Sequence, residues 1–204
     1  MRPLPVFYER LLLFTATTLL WVAAYFGVGA WNVSRTLQVL PWDPVWRFPF
    51  VSAFVVAYDS AYLLPFLAFL VLKERMLVRR FAAVLAAVIT FSAACFIAWP
   101  LTLPRPAIAV ASLSDRLLAL LYVADRPTNL FPSLHVSLSF LMALAIGHVL
   151  PKRRPWTLSW AALIAASTLF TRQHYFIDVI GGVLVAFAAW RAFLRVERIA
   201  CRPS

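Results

Sequence analysis

The sequence predicts an all-α protein: an integral membrane bundle of six transmembrane helices, with an interfacial helix on the outer face. Of the 204 residues, 63% are apolar and only 13% are charged, which is too little charge to cover the surface of a soluble domain. The apolar residues fall into stretches of roughly 20, the length that crosses a bilayer as a helix. The length of the chain predicts a single domain, residues 1–204.

The candidate spans are bounded by loops that carry charged residues or proline. They are residues 11–30, 50–72, 81–103, 133–150, 156–171 and 176–194. The first could be a cleavable signal peptide, since Arg2 and Arg10 precede it. Its apolar run is longer than the usual signal core, so we expect a retained helix.

Residues 107–124 form another largely apolar stretch and could be a seventh span. That reading would place Asp115 and Arg116 in the middle of the membrane, where charges are costly. We predict instead a helix lying on the outer surface, capped by Ser112 or Ser114.

Basic residues give the orientation. With the N-terminus in the cytoplasm, thirteen of the nineteen lie inside: Arg2, Arg10, Lys73, Arg75, Arg79, Arg80, Lys152, Arg153, Arg154, Arg191, Arg195, Arg198 and Arg202. The net charge of +11 therefore reflects membrane topology, and we expect no nucleic-acid partner. The simplest location is a bacterial inner membrane.

One polar cluster lies just before the last span and contains Arg172, His174 and Asp178. His174 and Asp178 are four residues apart, so a helix places them on one face. The carboxylate can orient the imidazole and make its other nitrogen a better nucleophile. Arg172 offers a planar fork of donors for phosphate oxygens. The pair could instead only tie a helix end to its neighbour.

The other polar cluster, which comes first along the chain, is Pro132-Ser133-Leu134-His135 and opens the fourth span. Ser133 and the nearby backbone N–H groups form an anion site at a positive helix end. His135 can give a proton to a departing oxygen, although an interfacial histidine beside a capping serine is the structural alternative. Two spans separate the clusters, so both face the same side, outward. Together they supply what phosphoryl transfer needs, with no metal-binding cluster and no cofactor.

These motifs resemble the type-2 phosphatidic acid phosphatase superfamily. The resemblance includes the residues that lead into Pro132-Ser133, which are Asp125-Arg126-Pro127-Thr128-Asn129-Leu130-Phe131. The likeness runs from about residue 43 to 190 and is greatest to the inositol phosphorylceramide synthase-like branch. It implies a six-helix membrane enzyme that works without a metal ion. By this resemblance His174 attacks phosphorus, Asp178 orients it and His135 protonates the leaving group. Arg172, Ser133 and an upstream arginine would hold the phosphate.

The upstream arginine is ambiguous. In the family a lysine precedes an Arg-Pro pair, with six residues between them. Arg105-Pro106 has Ala98 at the lysine position, and Arg126-Pro127 has Ala119 there. We favour Arg105, because it directly follows the third span.

Two further departures concern the motifs themselves. Leu134 replaces the usual glycine of the first motif, and Thr168 stands where the family has the second motif's arginine, four residues before Arg172. Asp125 and Asn129 are expected to shape the loop beneath the site through side-chain bonds to backbone.

The leading hypothesis is a membrane lipid phosphatase acting on a phosphorylated lipid. The alternative is a phosphotransferase that passes the phosphoryl group to a hydroxyl acceptor. A non-catalytic lipid transporter or scaffold on the same helices is the third hypothesis.

Overall fold

A computed structural model describes residues 5–200 of the chain, with side chains for 5–197. Arg2, Cys201 and Arg202 lie outside the described residues. Between residues 5 and 200 the secondary structure is helical, and the only extended pairing is a single bridge between Gln38 and Leu101. The all-α prediction is therefore confirmed.

Eight α-helices follow one another along the chain: α1 Val6–Asn32, α2 Val55–Asp59, α3 Leu63–Val71, α4 Arg75–Ala98, α5 Leu113–Ala124, α6 Leu134–Val149, α7 Arg154–Phe170 and α8 Phe176–Ala200. Turns of 3₁₀-helix at Ser52–Phe54 and Ser60–Tyr62 join α2 and α3 into one helical segment. A further 3₁₀ turn, Pro44–Arg47, precedes that segment.

Four helical segments of the described chain are long and apolar enough to cross a membrane. They are Val6–Asn32, Ser52–Val71, Arg75–Ala98 and Phe176–Glu197. The protein is therefore an integral membrane protein. Helices α6 and α7 have 16 and 17 residues, about 24 and 26 Å, against roughly 30 Å of hydrocarbon. That these two helices complete a set of six spans stays a prediction.

Helix α6 lies at the centre of the bundle and packs against α3, α7 and α8. Twelve of its sixteen residues are buried, as expected for a helix that is apolar on all sides. Helix α1 is the opposite case, since only four of its 27 residues are buried. Thus α6 forms a rigid centre, whereas α1 lies at the edge of the bundle.

The stretch proposed as an interfacial helix contains α5. Ser112 is its N-cap, and Asp115 completes a capping box by accepting from the Ser112 N–H at 2.8 Å. Hydrogen bonds from the Ser112 and Ser52 hydroxyls lower the pKa of Asp115 to about 2. Twelve residues make a helix of about 18 Å, too short to cross the bilayer. Its place on the outer membrane surface stays a prediction.

Two glycines allow α8 to approach the chain that leads into α6. A Cβ at Gly182 would lie 2.7 Å from the Ser133 carbonyl oxygen, and one at Gly181 would lie 2.6 Å from the Phe131 ring. Since real Cβ atoms do not come so close to backbone, any other residue at position 182 would push α8 away. This close contact brings the two polar clusters together.

Candidate active site

The N-terminus of α8 holds the second cluster. Asp178, fully buried, accepts from the Tyr175 N–H at 2.7 Å through Oδ2. The same oxygen lies 3.3 Å from Nδ1 of His174. Because a carboxylate accepts, this contact assigns the proton to Nδ1 and leaves the lone pair of the neutral ring on Nε2. His174 therefore has the tautomer that a nucleophilic imidazole requires.

A second carboxylate, Asp43, holds the same helix end from a distant part of the chain. Its oxygens accept from the N–H groups of Phe176 and Ile177 at 2.9 and 3.1 Å. It also accepts from Val45 at 2.8 Å, and its side chain is buried. The residue before α8, Tyr175, has no side-chain oxygen that accepts from these N–H groups, so Asp43 serves as the cap. The sequence analysis did not identify Asp43, which lies more than 130 positions from Phe176 and Ile177.

The first cluster meets α8 through the backbone. Ser133 is the N-cap of α6, and its Oγ accepts from the Val136 N–H at 3.4 Å. Its own N–H is not free for an anion, because it donates to the Asp178 carbonyl at 3.0 Å. The centroids of the His135 and His174 rings are 6.3 Å apart. Contacts of about 3–3.5 Å on each side would let one phosphoryl group touch both rings.

His135 has a buried hydrogen-bonded chain of its own. Its Nδ1 lies 3.1 Å from the Tyr58 hydroxyl, and the two rings stack with centroids 4.3 Å apart. The Tyr58 hydroxyl donates to Asp125 at 3.4 Å, so its oxygen is left to accept from Nδ1–H. Tyr25 donates to the other oxygen of Asp125 at 2.8 Å. Among the described residues, Nε2 of His135 has no partner.

Asp125 is therefore bound to two tyrosine hydroxyls rather than to backbone, contrary to the expectation from the sequence. Burial raises its pKa, opposed by the hydrogen bond from Tyr25 and by the positive charge of Arg105. The loop-shaping role falls to Asn129, whose amide donates to the Tyr25 carbonyl at 2.6 Å. No sequence pattern identified Tyr58.

Arg105 binds residues that adjoin the histidines. Its guanidinium donates to the side chain of Gln173, the residue before His174, and to the Asp125 carbonyl at 2.5 Å. It also lies 4.4 Å from the centre of the Tyr122 ring. The rival Arg126 is exposed. Arg105 therefore binds residues that adjoin the two histidines, and its role as the upstream arginine stays a prediction.

Arg172 does not join this group. Its backbone is left-handed, with φ of 53°. Its guanidinium donates to the carbonyl oxygens of Val45 and, at 2.7 Å, Phe48. The ring of Trp46 lies 5.9 Å from it. These hydrogen bonds hold the segment that follows Asp43. The positive charges of Arg172 and Arg105 both act on the Tyr122 hydroxyl.

Two buried imidazoles lie close together, His174 held by Asp178 and His135 held by Tyr58, which is itself bound to Asp125. Arg105 binds residues next to them, and this arrangement is suited to chemistry on an anionic group. A sequence model of the PAP2 superfamily matches residues 32–192, and the chain belongs to this family. Its members are phosphatases and phosphotransferases.

Two relatives are similar over shorter stretches. The catalytic subunit of inositol phosphorylceramide synthase, aur1, of Schizosaccharomyces pombe is 36% identical over 56 residues, 28% of this chain and 13% of that protein. An uncharacterized protein of Methanocaldococcus jannaschii is 36% identical over 70 residues, 34% of this chain and 29% of that protein. The chain thus matches less than a third of the length of each relative.

Proposed function

We propose that the protein is an integral membrane lipid phosphatase that hydrolyses a phosphate monoester or diphosphate of a lipid through a phosphohistidine intermediate. The observation that carries this proposal is the pair of imidazole rings, His135 and His174, 6.3 Å apart at the junction of α6 and α8. Each ring is bound through Nδ1, so both Nε2 atoms are available to one substrate.

The first step is attack by His174. Its Nε2 forms a bond to phosphorus while Asp178 keeps accepting the hydrogen bond from Nδ1–H and so stabilises the positive charge that develops on the ring. The P–O bond to the leaving group breaks, and the protonated His135 gives its Nε2 proton to the departing oxygen. Tyr58 and Asp125 hold the His135 ring during this transfer.

The second step regenerates the enzyme. A water molecule attacks the phosphohistidine, its proton goes to His135, and the P–N bond to His174 breaks to release phosphate. The same two residues thus act in reverse roles, with no metal ion or cofactor in either step. Independence from metal is a prediction, and a chelator tests it.

Positive charge for the phosphate oxygens comes from two places. Arg105 is held near His174 through Gln173, and the first turn of α6 directs its backbone N–H groups and positive dipole end at the same region. Ser133 contributes by capping this turn. Arg172 would reach a phosphate only by giving up its bonds to Val45 and Phe48. We therefore propose Arg105 as the principal phosphate-binding cation.

The second candidate is a phosphotransferase, in which a lipid or polyol hydroxyl replaces water in the second step. The observation that favours it is the 36% identity over 56 residues to the synthase subunit. The geometry serves both reactions, because either acceptor would lose its proton to His135. In either case we propose that the site faces outward, with a bacterial inner membrane and the periplasm as the simplest location.

The test is phosphate release by the purified full-length chain in detergent, with chelator present, on a panel of phosphorylated lipids. Candidate hydroxyl acceptors are added in parallel, and phosphorylated acceptor is measured against free phosphate. Free phosphate as the main product identifies the phosphatase, and phosphorylated acceptor the transferase. Chelator-sensitive turnover would contradict the mechanism. If the His174→Ala variant kept the biological activity of the wild type, both enzyme hypotheses would fail, and the transporter or scaffold role would remain.

A further inference from the structure

The side chain of Gln173 directly precedes His174 in the chain, and only one half of its carboxamide is bound. The residue is 2% exposed, and its Oε1 accepts a hydrogen bond from Nη2 of Arg105. Because an arginine has donors and no acceptor, the carboxamide atom that faces Arg105 is the oxygen, and the other atom is Nε2. Among the described residues, the two N–H groups of this nitrogen have no acceptor.

Buried polar atoms without a partner gather around the two histidines. Four of those found in the described part of the chain belong to the candidate active site: Arg105 Nε, His135 Nε2, Gln173 Nε2 and Asp178 Oδ1. A buried donor or acceptor without a partner is costly, so native proteins contain few of them. A cluster of such atoms at one place therefore indicates that a polar ligand binds there.

Electrostatic interactions place these side chains in one small region. Burial raises the pKa of Asp125, and the influences that oppose this rise include the positive charges of Arg105 and of protonated His174. Both cations thus act on the same carboxylate. That carboxylate is joined to His135 through one tyrosine hydroxyl. Gln173, which binds the first cation and precedes the second, lies in the same region.

Most of the unpaired atoms are hydrogen-bond donors. Nε of Arg105 carries one N–H and Nε2 of Gln173 carries two, while Nε2 of His135 carries one when its ring is protonated. A phosphoryl group has the opposite character, because its charge is spread over several accepting oxygens. Hydrogen bonds to such charged oxygens are stronger than those between neutral groups. A phosphoryl group next to His174 would therefore supply acceptors for these donors.

We propose that Gln173 is a substrate-binding residue whose Nε2–H donates to a nonbridging oxygen of the phosphoryl group. The inference rests on the proposed function and adds a ligand to it. The two atoms of the carboxamide then have different roles, since Oε1 positions Arg105 and Nε2 contacts the substrate. No proton leaves Gln173. Its hydrogen bond stabilises charge on the phosphoryl oxygens while the bond from phosphorus to His174 forms and the bond to the leaving oxygen breaks.

The first test is Gln173→Met, which keeps the approximate length of the side chain and removes both polar atoms. We expect kcat/KM for phosphate release to fall about 10–100-fold, because hydrogen bonds to charged groups are lost. Inorganic phosphate should raise the melting temperature of the wild type in detergent, and this rise should shrink in the variant.

The matched control is Gln38→Met, the same change at the other glutamine of the sequence. Gln38 is exposed, and its carboxamide accepts from Nε1 of Trp99 at 3.2 Å. Because this carboxamide contacts none of the site residues, the control should keep the kcat/KM of the wild type and its stabilisation by phosphate.

A double-mutant cycle separates the two atoms of the carboxamide. Arg105→Met removes the guanidinium and with it the partner of Oε1. If Gln173 acted only by holding Arg105, adding Gln173→Met to this variant would cost nothing further. We expect instead a further loss of about fivefold or more in kcat/KM, because Nε2 contributes a hydrogen bond of its own.

A second variant guards against a folding defect in Gln173→Met. Gln173→Glu keeps an acceptor for Arg105 and replaces the donor with a negatively charged oxygen, which repels phosphate. Its kcat/KM should fall at least as far as that of Gln173→Met. Wild-type kcat/KM in Gln173→Glu would overturn the role of Nε2.

The outcomes separate this inference from the proposed function. If the doubly substituted chain is no less active than Arg105→Met, Gln173 is not a ligand of the substrate, and the phosphatase stands. If the wild type releases no phosphate but is stabilised by inorganic phosphate through Gln173, the phosphatase fails and the phosphate contact stands. If the wild type neither releases phosphate nor binds it, both proposals fail.

Discussion

Removing the carboxylate of Asp43 should damage both the stability of the protein and its catalysis. In Asp43→Ala, three backbone N–H groups lose their acceptor: those of Phe176 and Ile177 at the start of α8, and that of Val45. Asp43 is 2% exposed, so little water can replace it. These donors adjoin His174, so the variant should also loosen the nucleophile.

The expected size follows from the hydrogen bonds. Loss of a helix N-cap costs about 0.5–2 kcal/mol. Leaving a buried donor unsatisfied costs about 1–3 kcal/mol. We therefore expect Asp43→Ala to lower the unfolding free energy by about 2–4 kcal/mol. Asp43→Asn keeps one acceptor oxygen, so its free energy of unfolding should fall by less.

The assays are thermal unfolding in detergent and kcat/KM for phosphate release below the unfolding transition. The matched control is Glu74→Ala, which removes the exposed N-cap of α4, where the carboxylate accepts from Met76 and Leu77. It should lower the melting temperature slightly and leave kcat/KM unchanged. Wild-type stability and kcat/KM in Asp43→Ala would refute the reasoning, as would an equal loss of kcat/KM in the control.

The remaining predictions concern the two histidines, Tyr58 and one helix cap. His174→Ala should abolish both phosphate release and the acid-labile phosphoenzyme, seen with ³²P-labelled substrate. His135→Ala should lower kcat/KM about 10²–10⁴-fold with an alkyl phosphate, but much less with p-nitrophenyl phosphate, whose leaving group needs no proton. An equal loss of kcat/KM with both substrates would contradict the role of His135 as an acid. Tyr58→Phe should lower kcat severalfold and change the pH profile, while KM stays near the wild-type value. Because folding lowers the pKa of Asp115 from 3.8 to about 2, its stabilising effect is present above pH 4 and disappears as the pH falls towards 2. The difference in melting temperature between wild type and Asp115→Asn should shrink over that range, and a constant difference would exclude this linkage.

The sequence predicted the helices well because bilayer thickness imposes a length on apolar segments. Each predicted span contains a helix of the structure. The errors lie at the ends: the third was extended to residue 103, whereas α4 ends at Ala98, because residues 99–103 are apolar without being helical. Hydropathy measures polarity and not backbone conformation.

The site was predicted in part. The histidines and Asp178 belong to short motifs whose chemistry is readable from spacing. Asp43 and Tyr58 reach the site only through the fold, and no local pattern marks them. Asp43 binds Phe176, 133 residues away, and Tyr58 binds Asp125 and His135, 67 and 77 residues away. That Arg172 shares a ligand with His174 stays a prediction, because the fold gives its guanidinium other partners. The left-handed backbone at Arg172 turns its side chain to the carbonyls of another segment.

The hydrogen bond from the Ser133 N–H to the Asp178 carbonyl, with Gly182 packed beneath it, sets the spacing of the histidines by main chain alone. Under the proposed function, substitutions of surrounding side chains can therefore alter which substrate fits without altering the distance between the two imidazole rings. We therefore expect changes of substrate to come from substitutions at exposed positions such as those of α1, with the spacing of the histidines unchanged.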